Sequence, residues 1–206
     1  MNVRTIAAGA LALAAAGAGL AASSTADAAG SRIAFDLQRS PGVVAAGCLT
    51  NATAHVVVTH VGQVEKMTVD ATGLPPNTGF DLFVIQVPNA PFGVSWYQGD
   101  LDSNKWGVAH GEFAGRFSVE TFAIAPGVAP APSVHTSPTP DATSNPAFGP
   151  IHTYHLGVWF NSAADAVKAG CPGLTTPFNG DHNAGIQALN SGSFGDTTGP
   201  LRRLKP

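Results

Sequence analysis

His110 and Glu112 have the residue types and the spacing of a metal-ligand pair on a strand. Strand side chains alternate between faces, so residues two apart project together, and imidazole nitrogen and carboxylate oxygen both ligate zinc. A third ligand has to come from another strand, with His55, His60 and His155 as candidates. His55 and His60 are five apart, and His152 and His155 three apart, so neither pair shares one face of a regular strand. Just upstream, "GDLDSNKWG" sets Asp100, Asp102 and Asn104 at alternate positions, an oxygen pattern used by calcium loops. A helix–loop–helix calcium site needs Gly at its sixth position and a bidentate Glu at its twelfth. Counted from Asp100, those positions hold Lys105 and Gly111, and neither flank has a helical pattern. Asp and Asn bond their own backbone and tolerate left-handed conformations. The same letters therefore predict a tight turn over Asp102 to Lys105, with Leu101 facing Trp106 and Tyr97 facing His110.

Other chemistries find less material. No Gly-x-Ser-x-Gly elbow follows a strand and opens a helix, so a nucleophilic serine has no frame. The glutamates are Glu65, Glu112 and Glu120. On one strand, Glu112 and Glu120 would lie roughly 26 Å apart, too far to flank a single glycosidic bond. Trp96, Tyr97, Trp106, Tyr154 and Trp159 are either core residues or, where exposed, a platform for a sugar or peptide. Tyr97, Trp106 and His110 share the expected hairpin and form the candidate binding surface.

The elements that must position these residues have a period of two. "TAHVVVTH" (Thr53 to His60) and "QVEKMTVDATG" read as strands either side of a Gly62 turn. "GFDLFVIQV" is apolar on both faces, as in a strand covered on both sides. "FGVSWYQG", "WGVAHGEFAGRFSVETFAI", "IHTYHLGVWF" and "GIQAL" are further candidates. In the second of these, Phe113, Phe117 and Val119 alternate with His110, Glu112, Arg116 and Glu120, which predicts one wet face. One short helix is expected in "NSAADAVKAGC", with Ser162 as cap, Asp165 as its capping-box partner and Gly170 as terminator. Seven of the 16 prolines fall from Pro126 to Pro150, which predicts a long surface loop over residues 125–150.

Met1 to Arg4, the Ala/Leu/Gly run to Ala22 and the small residues Ala26 and Ala28 have the order of a cleaved secretory signal. Cutting before Ala29 removes 28 of 206 residues and leaves a 178-residue chain, enough for one domain. No later stretch approaches the roughly 18 apolar residues of a spanning helix. Charged residues are 11% of the chain and the net charge is −3, which excludes the basic footprint of a nucleic-acid or anionic-lipid binder. Cys48 and Cys171 are the two cysteines, and an even pair in an exported chain predicts a disulfide.

Short strands with Gly/Pro turns predict an all-β, antiparallel sandwich with one short helix and the Pro-rich loop. "MTVDATGLPPNTGFDLFVIQ" resembles the strand–turn–strand corner of fibronectin type III domains through Leu74, Pro76, Thr78 and Phe80. Phe80 stands where the family has a tyrosine, so the hydroxyl that bonds back to the corner is missing. The resemblance implies an immunoglobulin/fibronectin-like fold and no activity. "FVIQVPNAPFGVSWYQGD", "HLGVWFNSAADAVKAGC" and the Ala/Gly-rich leader resemble secreted actinobacterial proteins of unknown function, which implies export. The expected role is a non-catalytic secreted or envelope-associated binding or structural module for an extracellular carbohydrate or protein. The alternatives are a metal-dependent enzyme using His110 and Glu112, and a secreted protease inhibitor presenting the Pro-rich loop. No cofactor is expected beyond the divalent metal of that incomplete ligand set.

Overall fold

The computed structural model describes residues 30–118, 153–179 and 182–205. The expected signal peptide and Pro-rich loop lie outside these residues. Of the described residues, 44% are strand and 11% helical. In chain order the elements are β1 (Arg32–Arg39), α1 (Pro41–Ala45), β2 (Thr53–Val61), β3 (Val64–Thr72), β4 (Phe80–Ile85), β5 (Ser95–Asp100) and β6 (Ala109–Gly115). There follow β7 (His155–Phe160), α2 (Ala163–Lys168), β8 (Thr176–Asn179), β9 (His182–Ala184), β10 (Gln187–Asn190) and a 3-10 turn at Pro200–Arg203. Among the described residues, no helix is long and apolar enough to cross a membrane.

Eight strands form one antiparallel sheet in the order β5-β4-β7-β10-β1-β2-β3-β6, nearly closed into a barrel. The sequence predicts two separate sheets, and β1 is the reason there is one. Its residues Arg32 to Leu37 pair with β2, while Gln38 and Arg39 pair with β10. One strand thus carries the sheet around a corner. On the other side β5 and β6 meet through side chains: the Phe113 ring lies over Gly99 and Gly111, and just past β6 the Phe117 ring lies tilted against Trp96 at 6.2 Å.

The two halves of the barrel are built differently. In β1, β2, β3 and β6 the alternation is plain: Phe35 and Leu37, Ala54, Val56 and Val58, then Met67, Val69 and Ala71 point inward and are buried. The residues between them face water, as in a sheet wet on one side. All six residues of β4 and all six of β7 are buried. Their inner faces supply Phe80, Leu82, Val84, Leu156, Val158 and Phe160 to the main core. Their outer faces carry Phe83, Ile85 and Trp159, which form a second core with Ala184 of β9 and with Phe92. Gly157 makes that layer possible, because a Cβ there would lie 2.3 Å from the Trp159 ring.

Cys48 and Cys171 form a disulfide with Cα atoms 5.5 Å apart. It joins the α1–β2 connection in one half to the α2–β8 connection in the other. Ser162 caps α2 as expected, with the Asp165 amide donating to Ser162 Oγ (3.1 Å), while the Asp165 carboxylate accepts from the Ser162 hydroxyl (2.7 Å) in place of the backbone N–H of a capping box. Those contacts, with Lys168 beside them, hold the Asp165 carboxyl below its ordinary value.

Candidate functional site

The wet face of β3 and β6 positions His110 and Glu112 side by side, as their spacing requires. The register places Asp70 opposite His110 and Thr68 opposite Glu112. His110 Nδ1 lies 2.6 Å from Asp70 Oδ1. Glu112 accepts a 2.6 Å bond from Lys66, and that bond is the main cause of its lowered pKa. Across the sheet the same row continues: Asp70 is opposite His55, and His55 is opposite Asp36, at 2.7 Å from Nδ1 to Oδ1. Asp36, His55, Asp70 and His110 therefore alternate along one line perpendicular to four strands. Each imidazole has its Nδ1 on a carboxylate, and both rings are largely exposed. Among the described residues neither ring bonds a hydroxyl or thiol. Nor is there a cluster of three or more His, Cys, Asp or Glu able to hold a metal among them.

Two further histidines, His155 and His60, are used in the frame. His155 is fully buried, with Nδ1 2.9 Å from Ser191 Oγ and Nε2 3.2 Å from the Asp196 carbonyl. Burial is the main cause of its lowered pKa, so the ring is held neutral. His60 bonds the Lys205 carbonyl and lies 3.6 Å from Glu65, a buried carboxylate that accepts from the amide and hydroxyl of Ser118. His152 lies outside the described residues.

The turn after β5 differs from the expected one. Ser103 pairs with Ala109, and the chain reverses between Asn104 and Val108 rather than over Asp102 to Lys105. Asn104 drives this, because its side-chain oxygen accepts from both Trp106 N (2.8 Å) and Val108 N (3.2 Å). Leu101 is thereby brought against Gly111 and not Trp106. Gly107 takes φ +71°, and a Cβ there would lie 2.1 Å from the Leu74 carbonyl oxygen. The turn is tied to the Leu74–Thr78 corner by Leu74 N to Gly107 O, Asn77 N to Asn104 O and Thr78 N to Ser103 Oγ. At its tip Trp106 is 76% exposed, with Lys105 Nζ 4.9 Å from the ring centroid.

Tyr97 of β5 is also exposed, on the outer face of the other half. Its ring packs edge-on against Phe83 at 5.7 Å and its hydroxyl donates to Asp100 at 2.6 Å. Desolvation, then that bond, raise its pKa well above the ordinary tyrosine range. Among the described residues no hydrogen bond or ring contact joins Tyr97, Trp106 and His110 to one another. They are separate features of the surface. Sequence reasoning missed Asp36, Lys66 and Asp70 as partners. The signal for His55–Asp70 was present in the two-residue turn Gly62–Gln63, which fixes the β2–β3 register. The pairing of β3 with β6 skips two strands in the chain and leaves no local signal. Comparison with protein-family models, with curated proteins and with solved structures finds no match for this chain.

Proposed function

We propose that the chain is a non-catalytic, secreted binding module that engages an extracellular carbohydrate or protein through the Trp106 turn. The observation that carries this reading is Trp106 itself, 76% exposed on a backbone held by its own Asn104 and by the Leu74–Thr78 corner. A large ring on a fixed turn is pre-organised, so little ordering is lost when a partner covers it. Tyr97 and His110 are flanking contacts for a ligand large enough to span the two halves. Four-stranded halves joined by the two β1–β10 residue pairs, with the chain crossing between them at Leu74 to Phe80, support an immunoglobulin/fibronectin-like reading of the fold.

The test is tryptophan fluorescence of the mature protein titrated with cellohexaose, chitohexaose and a soluble α-glucan, and pull-down of extracellular proteins by wild type and Trp106→Ala. An interface tryptophan contributes about 2 kcal/mol or more, so Trp106→Ala should weaken binding roughly thirtyfold. Equal binding by the variant removes the site, and turnover of any glycan removes the non-catalytic reading.

A further inference from the structure

A cleft of about 870 Å³ opens between the start of α1, the β4–β5 connection and the approach to β8. Its walls carry Pro41, Pro91, Phe92, Leu174, Pro177 and Ile186, and among the described residues no ionisable side chain lines it. Four polar side chains in the walls, Ser40, Asn89, Thr176 and Gln187, already make hydrogen bonds. Ser40 donates to the Gln187 carbonyl, and Thr176 to the Gly185 carbonyl at 3.0 Å. The Gln187 amide donates to the Pro88 carbonyl at 3.1 Å and accepts from Asn190 at 2.9 Å, and the Asn89 oxygen accepts from Asn190 at 3.2 Å. A polar ligand would give up water for few new partners, and a charged one would be desolvated beside no counter-charge.

The walls are also fixed. Gln86 holds the β4–β5 connection through Val94 N at 3.1 Å, and Phe92 packs edge-on against buried Trp159 at 4.9 Å. The α1 wall leads into Cys48, and the Leu174–Pro177 wall follows Cys171, so the disulfide ties the two together. The volume lies within the roughly 300–1,000 Å³ of small-molecule sites, which are concave, mostly apolar and preformed.

We propose that this cleft binds an uncharged, predominantly apolar small molecule. The site is separate from the Trp106 turn and does not rest on its role. Leu174, 59% exposed at the rim, is the residue to alter, because a charge there enters the cleft without disturbing the core.

The experiment titrates the oxidised mature protein with the uncharged fluorophore N-phenyl-1-naphthylamine and displaces it with decanol or decanoate. Expected are saturable binding at one site, displacement by decanol at a concentration at least tenfold below that of decanoate, and an affinity at least tenfold lower in Leu174→Asp with an unchanged melting temperature. Val61→Asp, an exposed apolar residue at the β2–β3 turn, should bind as wild type. Non-saturable binding, equal displacement by the two competitors, or equal behaviour of the Leu174 and Val61 variants overturns the proposal.

Discussion

Replacing Cys48 and Cys171 together by alanine removes the disulfide that links the two halves of the barrel. The bridge closes 123 residues. On the chain-entropy relation, releasing a loop of that length costs about 4.9 kcal/mol through the freedom returned to the unfolded chain. Both sulfurs are buried, so truncation also leaves a small void and the loss cannot be offset by new solvation. For a domain near this size each kcal/mol moves the melting temperature by about 2–4 °C, so the double variant should melt roughly 10–20 °C lower. Urea denaturation followed by far-UV circular dichroism measures the free energy, with wild type in reducing agent as the parallel sample. The two should agree, because both lack the cross-link while keeping the same sheet. A loss below about 1 kcal/mol in the double variant would refute the reasoning, since the halves would then be held by the β1–β10 corner and the core without need of the bridge.

Three further outcomes are expected. Stability conferred by neutral, buried His155 is present above the ordinary histidine pKa and is lost as pH falls below it toward the lowered folded value, because the unfolded ring takes the proton first; urea midpoints measured across that range should fall with pH in wild type and less steeply in His155→Gln. Of the two tyrosines, Tyr97 should ionise later than an ordinary phenol in an ultraviolet titration, and Tyr97→Phe should abolish that late step. Gly107→Ala forces a Cβ to 2.1 Å from the Leu74 carbonyl oxygen at φ +71° and should destabilise by more than about 1 kcal/mol in a thermal melt.

Much of the fold was legible because burial of one face writes itself into alternate residues. The runs at Thr53 to His60, Gln63 to Gly73 and Gly79 to Val87 became β2, β3 and β4, and the double-sided apolarity of the last anticipated its cover of Phe92, Trp159 and Ala184. The Ser162 cap was readable from local chemistry, and the Cys48–Cys171 bridge from the presence of just two cysteines in the chain. The single bent sheet was not, because it depends on the last two residues of β1 leaving β2 for β10, a choice made by tertiary contact. β1 itself, with Ile33, Phe35 and Leu37 alternating, carried the same signal as its neighbours and went unread. At the candidate site, the shared face of His110 and Glu112 followed from their spacing alone. Their engagement by Asp70 and Lys66 required the β3–β6 register. The exposed Trp106 depended on Asn104, rather than Asp102, nucleating the turn.

Intact mass spectrometry of the protein recovered from the medium of its native host, before and after reduction and alkylation, bears most directly on the proposal of an exported, disulfide-clamped module. The expected result is a chain beginning at Ala29 whose two cysteines accept alkyl groups only after reduction. A cell-retained chain that still begins at Met1, with Cys48 and Cys171 alkylated under native conditions without reductant, would contradict it.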